Sequence, residues 1–263
     1  MTDDILLRQD KGTITTLTLN APASLNALST AMLTRLDMAL DAIAGSAQRV
    51  LILRAAGKNF CAGHDLREIQ GFRGDLDAGE AAFAALFGLC AQVMQKLTTL
   101  PQPVIASVQG IATAAGCQLA ASCDMVVASE TARFGVNGVN IGLFCHTPLV
   151  ALSRKIAPSQ AFELAATGAF ITAARAHILG LVTSLAAPDD LDGTTRALAA
   201  TLAAKLPLAL SLGKAAAAAG SDLTHPLAQA YDTATKAMVH NLLQPATAEG
   251  IDAFLSKRAP NWP

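Results

Sequence analysis

Residues 103–128 read PVIASVQGIATAAGCQLAASCDMVVA. Within this stretch, the short apolar run over residues 103–108 predicts a buried strand, residues 115–122 predict a short helix, and residues 125–128 predict a second strand. Gly110 lies in the turn between the first strand and the helix, where a missing side chain lets two backbones approach closely. The stretch therefore predicts a strand, helix, strand unit of an α/β protein, with a glycine-bearing turn before the helix.

The same alternation extends toward the N-terminus. Residues 14–19 and 50–53 predict strands, and residues 30–43 between them carry apolar side chains at helical spacing. Residues 80–97 predict another helix. After about residue 148, helix signals rich in Ala and Leu follow one another, interrupted by proline and glycine. The chain is therefore predicted to be an α/β body followed by a helical C-terminal part.

The composition argues against several classes of function. The chain has 263 residues, 52% of them hydrophobic, and its 19 Lys and Arg nearly balance its 20 Asp and Glu. Because no segment is strongly basic, we expect neither a nucleic-acid partner nor a membrane-surface partner. The longest apolar stretch, residues 104–127, is broken by Gln109, Gln118 and Asp124, so no transmembrane helix is expected.

The cysteines and the N-terminus indicate the compartment. Five cysteines, an odd number without a C-x-x-C pair, favour reduced thiols. The acidic start of the chain lacks the basic flank and apolar core of a signal peptide. We therefore expect a cytoplasmic protein.

Three glycine-bearing turns follow predicted strands, at residues 60–66, 110–118 and 134–142. A helix that begins near Ala115 would direct free N–H groups at a bound oxygen, so such turns can bind an anion or polarise a carbonyl group. Each turn taken alone is equally compatible with a purely structural tight turn.

Taken together, these segments resemble a known family. ASLNAL at 23–28, FCAGHDL at 60–66, the strand and turn at 103–112 and AGCQLAASCD at 115–124 are similar in order and spacing to the crotonase superfamily, of the enoyl-CoA hydratase/isomerase kind. Shorter matches continue to residue 258. GHDL together with NIGLFC at 140–145 most resembles the enoyl-CoA hydratase domain-containing protein 3 branch.

The resemblance implies an α/β fold, a crotonase-like spiral of β-β-α turns with a helical C-terminal trimerisation region. Residues 1–200 would form the core with the acyl-CoA site, and residues 201–263 would complete the pocket and the oligomer interface. It further implies a homotrimer or a dimer of trimers, a coenzyme A thioester as substrate or ligand, and no tightly bound cofactor and no metal.

The resemblance also implies the binding residues. The backbone N–H groups of His64 and Ala115 would polarise the thioester carbonyl group as an oxyanion hole. The nucleotide end of coenzyme A would lie near residues 23–27, with Phe254 and Lys257 near the adenine or its phosphates. The implied substrate-binding and CoA-binding residues are Ala23, Leu25, Asn26, Ala27, Ala62, Gly63, Asp65, Leu66, Gly116, Gly138, Phe254 and Lys257.

The chain departs from the family where hydratases carry two glutamates. Those positions hold Gln118, which can orient a water but cannot act as a carboxylate base, and Gly138, which has no side chain. Each general acid or base is worth about a hundred- to ten-thousand-fold in rate, so ordinary hydration is expected to be slow. Restoring both glutamates is expected to raise it.

Cys145 and His146 stand where other branches of the superfamily keep an acidic residue. If Thr147 caps the following helix with Pro148 in its first turn, both residues lie at a helix N-terminus, which favours a thiolate and a neutral imidazole. The alternative is that Cys145 is a small buried hydrophobe and His146 only a helix-entry residue. The other four cysteines are expected to be packing residues: Cys61, Cys90, Cys117 and Cys123.

Two aspartates are predicted to be structural. Asp65 is expected to cap a helix or to fix the turn around His64, and Asp124 to anchor its turn to a neighbouring strand. For function, the leading hypothesis is an acyl-CoA enzyme of fatty-acid metabolism, a lyase or an isomerase. The alternatives are a degenerate protein that binds acyl-CoA without turnover, and an RNA-binding protein, which the composition disfavours.

Overall fold

A computed structural model describes residues 4–220 and 227–262. Its nine strands are β1 Leu6–Lys11, β2 Ile14–Leu19, β3 Val50–Ala55, β4 Val104–Val108, β5 Ile111–Thr113, β6 Met125–Ser129, β7 Arg133–Gly135, β8 Phe170–Thr172 and β9 Ser184–Ala186. The α-helices of the described residues are α1 Thr30–Ala44, α2 Leu66–Phe72, α3 Glu80–Thr99, α4 Ala115–Ser122, α5 His146–Leu152, α6 Pro158–Thr167, α7 Ala173–Leu179, α8 Leu191–Ala203, α9 Pro207–Gly220, α10 Leu227–Leu242 and α11 Pro245–Leu255. Short 3-10 helices cover Pro22–Ser24, Asn137–Ile141 and Pro188–Asp190.

The strands form two sheets. The larger sheet has the order β1-β2-β3-β4-β6-β9, in which only the β1–β2 pair is antiparallel. The smaller sheet has the order β5-β7-β8. Isolated bridges join Leu28 to His64 and Cys61 to Ala112, and so extend the smaller layer toward the N-terminus. Each turn of the chain thus passes through the larger sheet, then the smaller layer, then a helix, which is the expected spiral of β-β-α turns.

Helices α1 and α3 show how the apolar pattern positions the core. Ser29 caps α1 by accepting a hydrogen bond from the N–H of Met32 at 3.2 Å. The predicted apolar face of α1 is buried, and α1 packs against α3. The buried side chains of the two helices are Met32, Leu33, Leu36, Leu40 and Ile43 of α1, and Leu86, Cys90, Val93, Met94 and Leu97 of α3.

Among the described residues, α3 is long and apolar enough to cross a membrane by length and composition. The segments Pro188–Ala203 and Pro207–Ala218 reach this length and composition only together, and they are bent by 106° relative to each other. Because one face of α3 lies in the hydrophobic core, we interpret α3 as a core helix. The apolar stretch at residues 104–127 forms β4, β5, α4 and the start of β6.

An ion pair connects the C-terminal helices to the body. The carboxylate of Asp124 accepts hydrogen bonds from the backbone N–H of Val104 at 2.7 Å and from the Nζ of Lys214 on α9 at 2.7 Å. The same Nζ donates to the carbonyl oxygens of Leu97 and Gln102. Asp124 therefore anchors its turn to β4, as predicted, and α9 as well. Burial lowers the pKa of Lys214 even though the neighbouring carboxylate acts in the opposite direction.

The last two helices expose large apolar side chains on the single chain. Met238 of α10 is 68% exposed and Phe254 of α11 is 81% exposed. Apolar surface of this extent normally meets a partner. The exposed apolar side chains of these helices are Tyr231, Met238, Val239, Leu242, Ile251, Phe254 and Leu255, and Leu243 follows α10 directly.

Candidate active site

A largely apolar cavity of about 310 Å³ lies at the N-terminal end of α4. Among the described residues that line it, polar side chains belong to His64, Asn137, His146 and Thr147, and Cys145 adds a thiol. Seven of the predicted site residues line it: Ala62, His64, Leu66, Ala115, Gly138, Cys145 and His146. The other predicted site residues lie outside the wall: Ala23, Leu25, Asn26, Ala27, Gly63, Asp65, Gly116, Gln118, Phe254 and Lys257.

The peptide between Gly63 and His64 has a fixed orientation. Its carbonyl oxygen accepts a hydrogen bond of 2.7 Å from the N–H of Leu28. In a trans peptide the N–H points opposite to the C=O, so the N–H of His64 points away from Leu28. No hydrogen bond from this N–H is formed within residues 4–220 and 227–262.

The N–H of Ala115 is the second unpaired donor. The carbonyl oxygen of Ala114 accepts the first helical hydrogen bond of α4, from the N–H of Gln118 at 3.0 Å. The N–H of Ala115 therefore points out of the helix N-terminus, and it too has no acceptor in the described part of the chain.

The two donors are adjacent because Gly63 has no side chain. A Cβ atom on Gly63 would lie 2.9 Å from the Cβ of Ala114 and 3.3 Å from the backbone N of Ala115. Gly63 has a φ of +94°, which glycine adopts without strain. The sequence A-G-H at 62–64 thus brings the free N–H of His64 next to the start of α4, which supplies the free N–H of Ala115.

Ala114 is strained at this point. Its φ of 50° and ψ of −123° are unusual for a residue with a Cβ, and its N–H is held by the carbonyl oxygen of Gly135 at 3.0 Å. Strain of this kind costs about 1–3 kcal/mol and is concentrated at functional sites. Here it sets the direction in which the following N–H, that of Ala115, leaves the helix.

The two positions at which hydratases carry glutamates, 118 and 138, have different surroundings in this protein. Gln118 is buried in α4, and its Oε1 has no hydrogen-bond partner in the described structure. Gly138 lines the cavity, but a Cβ there would collide with the carbonyl oxygen of Leu143 and lie 2.6 Å from the Sγ of Cys145. A glutamate at position 138 therefore requires the backbone at Leu143 to shift. The expectation that Gln118→Glu together with Gly138→Glu raises hydration stays a prediction.

The start of α5 also differs from the sequence prediction. The helix begins at His146 with Cys145 at the N-cap position, so Thr147 lies inside the first turn and does not cap it. The Cys145 side chain is buried, and burial raises the pKa of its thiol despite a hydrogen bond from the Gly138 backbone. The expected thiolate is therefore not favoured. His146 is exposed, with its ring 5.0 Å from that of Phe144.

The remaining thiols and polar side chains serve the structure. Burial raises the pKa of the other four cysteine thiols to about 12, as expected of packing residues. Asp65 caps α2 as predicted, by accepting from the N–H groups of Arg67 and Glu68. Asn26 donates to the carbonyl oxygens of Ala56 and Asn59 and accepts from the N–H of Ala21, so its side chain is committed to the surrounding loops.

The imidazole of His64 is a feature that the sequence did not indicate. Its Nδ1 lies 3.0 Å from the carbonyl oxygen of Leu28, 36 residues away in the chain. The ring packs edge-on against Phe87 of α3, with 5.1 Å between centroids. Its Nε2 is buried and has no hydrogen-bond partner among the described residues. Because both contacts join distant segments, no local sequence pattern could reveal them.

Asn137, which lines the cavity, makes a contact with Thr113 that the sequence did not predict. The Oγ1 of Thr113 donates to the Oδ1 of Asn137 at 2.8 Å, which directs the amide of Asn137 within the cavity wall. No group of three or more His, Cys, Asp or Glu side chains in the described structure could hold a metal ion.

Comparisons with protein-family models and with known sequences both point to the same family. A family model described as Enoyl-CoA hydratase/isomerase matches residues 9–263. Human enoyl-CoA hydratase domain-containing protein 3, named as mitochondrial, is 41% identical over 251 residues, which cover 95% of this chain and 80% of the human protein.

Two solved structures are similar along nearly their whole length. An enoyl-CoA hydratase from Mycobacterium smegmatis has a TM-score of 0.93 and 44% identity, with 99% of each chain covered. Human enoyl-CoA hydratase domain-containing protein 3 has a TM-score of 0.92 and 39% identity, with 98% of this chain and 100% of the other covered. The crotonase-like fold class and the resemblance drawn from the sequence are confirmed.

Proposed function

Because the chain belongs to the enoyl-CoA hydratase/isomerase family, we propose that it binds acyl-CoA thioesters and stabilises their enolates in the cavity. The observation that carries this proposal is the adjacency of the two unpaired N–H groups, of His64 and Ala115, at an apolar cavity. A thioester oxygen that accepts both hydrogen bonds would place its acyl chain against the apolar wall.

Fixed backbone donors suit this chemistry because negative charge develops on the thioester oxygen as the enolate forms. Donors that are already oriented need no rearrangement at that moment, and one such donor is worth about a hundred- to a thousand-fold in rate. The hydrogen bond from Leu28 to Gly63 and the strained Ala114 hold these two donors in place.

Ordinary hydration is expected to be slow. Among the described residues, no Asp or Glu lines the cavity, and the amide of Gln118 cannot act as a base. Hydration needs one group to activate water and one to deliver a proton, so the loss of both carboxylates removes most of the rate. The proposed reaction is thus a lyase or isomerase step on a thioester enolate, in fatty-acid metabolism.

A second candidate function is binding of acyl-CoA without turnover, as a sensor or carrier. The crowding around Gly138 favours it, because a Cβ at this position would collide with the carbonyl oxygen of Leu143 and position 138 carries neither an acid nor a base. Turnover of any thioester by the purified protein separates this candidate from the enzyme.

The proposal includes an oligomer and a binding mode for the nucleotide end. We place the adenine and phosphates of coenzyme A near residues 23–27, with Phe254 and Lys257 nearby, as the family resemblance implies. The exposed apolar side chains of α10 and α11 support a trimer or a dimer of trimers.

The experiment combines binding with product analysis. The protein is titrated calorimetrically with acyl-CoA thioesters of different chain length, and each mixture is then analysed for a change in mass or absorbance. We expect binding, with crotonyl-CoA hydration far below that of a relative that carries both glutamates. Absence of binding at millimolar concentration, or hydration as fast as that relative's, would contradict the proposal.

A further inference from the structure

We propose that the side-chain amide of Asn137 selects acyl groups that carry a carbonyl oxygen at C3, so that the ligand class is a 3-oxoacyl thioester. The inference rests on the proposed function, because it needs a thioester oxygen held by the N–H groups of His64 and Ala115. It gives a role to Asn137, which lines the cavity and is not one of those two donors.

The pairing of two short strands brings Asn137 next to Ala115. Strands β5 and β7 are parallel neighbours, and their last paired residues are Thr113 and Gly135. Ala115 and Asn137 each follow two residues later, at the same end of a sheet whose neighbouring strands lie about 4.8 Å apart. The N–H of Ala114 donates to the carbonyl oxygen of Gly135 at 3.0 Å and keeps the two segments together beyond the strands. A ligand that reaches the N–H of Ala115 thus passes beside Asn137.

A buried hydroxyl group fixes which end of the Asn137 amide faces the ligand. The Oγ1 of Thr113 donates to the Oδ1 of Asn137 at 2.8 Å. Thr113 is buried, and its hydroxyl group has no other acceptor among the described residues. Rotation of the amide by half a turn would leave that hydroxyl hydrogen without an acceptor, which is costly for a buried donor. The Nδ2 of Asn137 therefore points away from Thr113 and carries two N–H donors.

A ligand in the cavity can contact this Nδ2. It donates to no residue in the described part of the chain, and unlike the Nε2 of His64 it is not buried. Asn137 is half-buried and belongs to the cavity wall. The amide thus presents an accessible donor in a fixed orientation, beside the two backbone donors.

The chemistry of the wall favours a neutral oxygen as the acceptor. None of the described residues that line the cavity is Lys or Arg, so a carboxylate on the acyl chain would lack a permanent cation. The side chains that α2 and α3 contribute are apolar, namely Leu66, Ile69 and Phe87. A ketone oxygen only accepts, so it matches a donor that does not ionise.

The position of the acceptor on the acyl group follows from the position of the donor. The thioester oxygen is attached to C1 and is held at the N–H of Ala115, with Asn137 beside it. An oxygen on C3 is only two carbons away, so a 3-oxoacyl group offers one oxygen to the backbone donors and the other to the amide. An acyl chain without this oxygen leaves the Nδ2 unpaired, and a donor left unpaired lowers the affinity for the analogue.

The test compares three four-carbon thioesters that differ only at C3. Acetoacetyl-CoA carries an oxo group there, 3-hydroxybutyryl-CoA a hydroxyl group, and butyryl-CoA neither. Each is titrated calorimetrically into the protein near pH 7. A neutral hydrogen bond contributes about three- to tenfold in affinity, so we expect acetoacetyl-CoA to bind more tightly than butyryl-CoA by that factor.

The decisive variants remove or invert the donor at similar side-chain size. Asn137→Leu loses both N–H groups, and we expect the preference for acetoacetyl-CoA over butyryl-CoA to disappear. The carboxylate of Asn137→Asp only accepts, so we expect 3-hydroxybutyryl-CoA, which can donate, to bind more tightly than acetoacetyl-CoA. The matched controls are Asn140→Leu and Asn140→Asp, in the same 3-10 helix but outside the cavity wall. Both should keep the wild-type order of affinities.

The role of Thr113 as a positioning residue is tested by Thr113→Val. Val lacks the hydroxyl group that holds the Oδ1 of Asn137, so either end of the amide can then face the ligand. We expect a smaller preference for acetoacetyl-CoA at an unchanged affinity for butyryl-CoA. Thr113→Ser keeps the hydroxyl group and should retain the wild-type preference.

Several outcomes overturn the inference. Equal affinities of the wild type for acetoacetyl-CoA and butyryl-CoA, or a preference that survives in Asn137→Leu, exclude Asn137 as the selecting residue and leave the proposed function intact. A wild type that binds none of the three thioesters refutes the proposed function, and the inference with it. If circular dichroism shows that Asn137→Leu does not fold, Asn137→Asp decides, and tighter binding of acetoacetyl-CoA than of 3-hydroxybutyryl-CoA by that variant rejects the inference.

Discussion

At the scale of single residues, Gly63 controls the spacing of the two N–H donors. Substitution Gly63→Ala would place a Cβ 2.9 Å from that of Ala114, at a φ of +94°. We expect a loss of about 1–3 kcal/mol in the free energy of unfolding from backbone strain. We also expect weaker acyl-CoA affinity, because the donor segments must separate.

The matched control for this substitution is Gly12→Ala. Gly12 also has a positive φ, +60°, but a Cβ there would contact no atom within 4 Å. Its variant should lose stability by strain and keep its acyl-CoA affinity in the same calorimetric titration. Equal affinity in the two variants would mean that the spacing of the donors does not matter.

His64 also makes stability depend on pH. Its pKa in the folded protein is below the ordinary value of about 6.5, so between these two values the unfolded chain binds more protons. Stability therefore rises with pH through this window and is lost as pH falls below about 6.5. Urea unfolding at pH 5 and pH 7.5 should show a smaller difference in His64→Gln than in the wild type. An unchanged difference would place the acid sensitivity elsewhere.

At the scale of elements, the buried Lys214 connects α9 to the body through Asp124. Replacement Lys214→Met leaves the carboxylate of Asp124 without its cation, and breaking a buried pair costs about 3–5 kcal/mol. The control is Lys236→Met on α10, whose ion pair with Asp232 is exposed, and which should change stability by less than about 0.5 kcal/mol. Denaturant unfolding measures both, and similar small losses would show that α9 is held by other contacts.

The sequence pattern predicted which segments form helices and strands. It was less successful in predicting where the helices beside the site begin. The buried face of α1 follows from its helical spacing, and β4, which is buried at every position, follows from its short apolar run. Thr147 is a good capping residue and was expected to cap α5 with Pro148 in the first turn, but the helix begins at His146 with Cys145 at the N-cap position. The preceding segment is closed by hydrogen bonds of 3.0 Å from the N–H of Leu143 to the carbonyl oxygen of Gly138 and from the N–H of His146 to that of Phe144, contacts that no capping preference predicts.

The candidate site could be predicted only in part, because some of its contacts join residues that are far apart in the sequence. The donors at His64 and Ala115 lie in short motifs that can be read along the chain. The contacts of the His64 ring with Leu28 and Phe87, and of Thr113 with Asn137, join separate turns of the spiral and leave no local signature.

At the scale of the whole molecule, the exposed apolar side chains of α10 and α11 argue for assembly through the C-terminal helices. We expect light scattering to give the mass of a trimer or a hexamer for the wild type and a smaller mass for Met238→Glu, because a buried charge opposes association. The control is Met38→Glu on α1, which is also exposed, at 62%, and should keep the wild-type mass. Dissociation by Met38→Glu alone would move the interface to α1.

The packing around Gly138 has a consequence for how this site could change by mutation. One of the two contacts that exclude a side chain there is a sulfur atom, which a smaller residue at position 145 would remove. The other is the backbone oxygen of Leu143, which every residue type carries. A side chain at position 138 therefore needs a shift of the Leu143 backbone, even when a smaller residue stands at position 145. Side chains at position 138 and the course of the 138–145 segment are thus coupled, so a change at this position is expected to move Cys145, and the cavity wall with it.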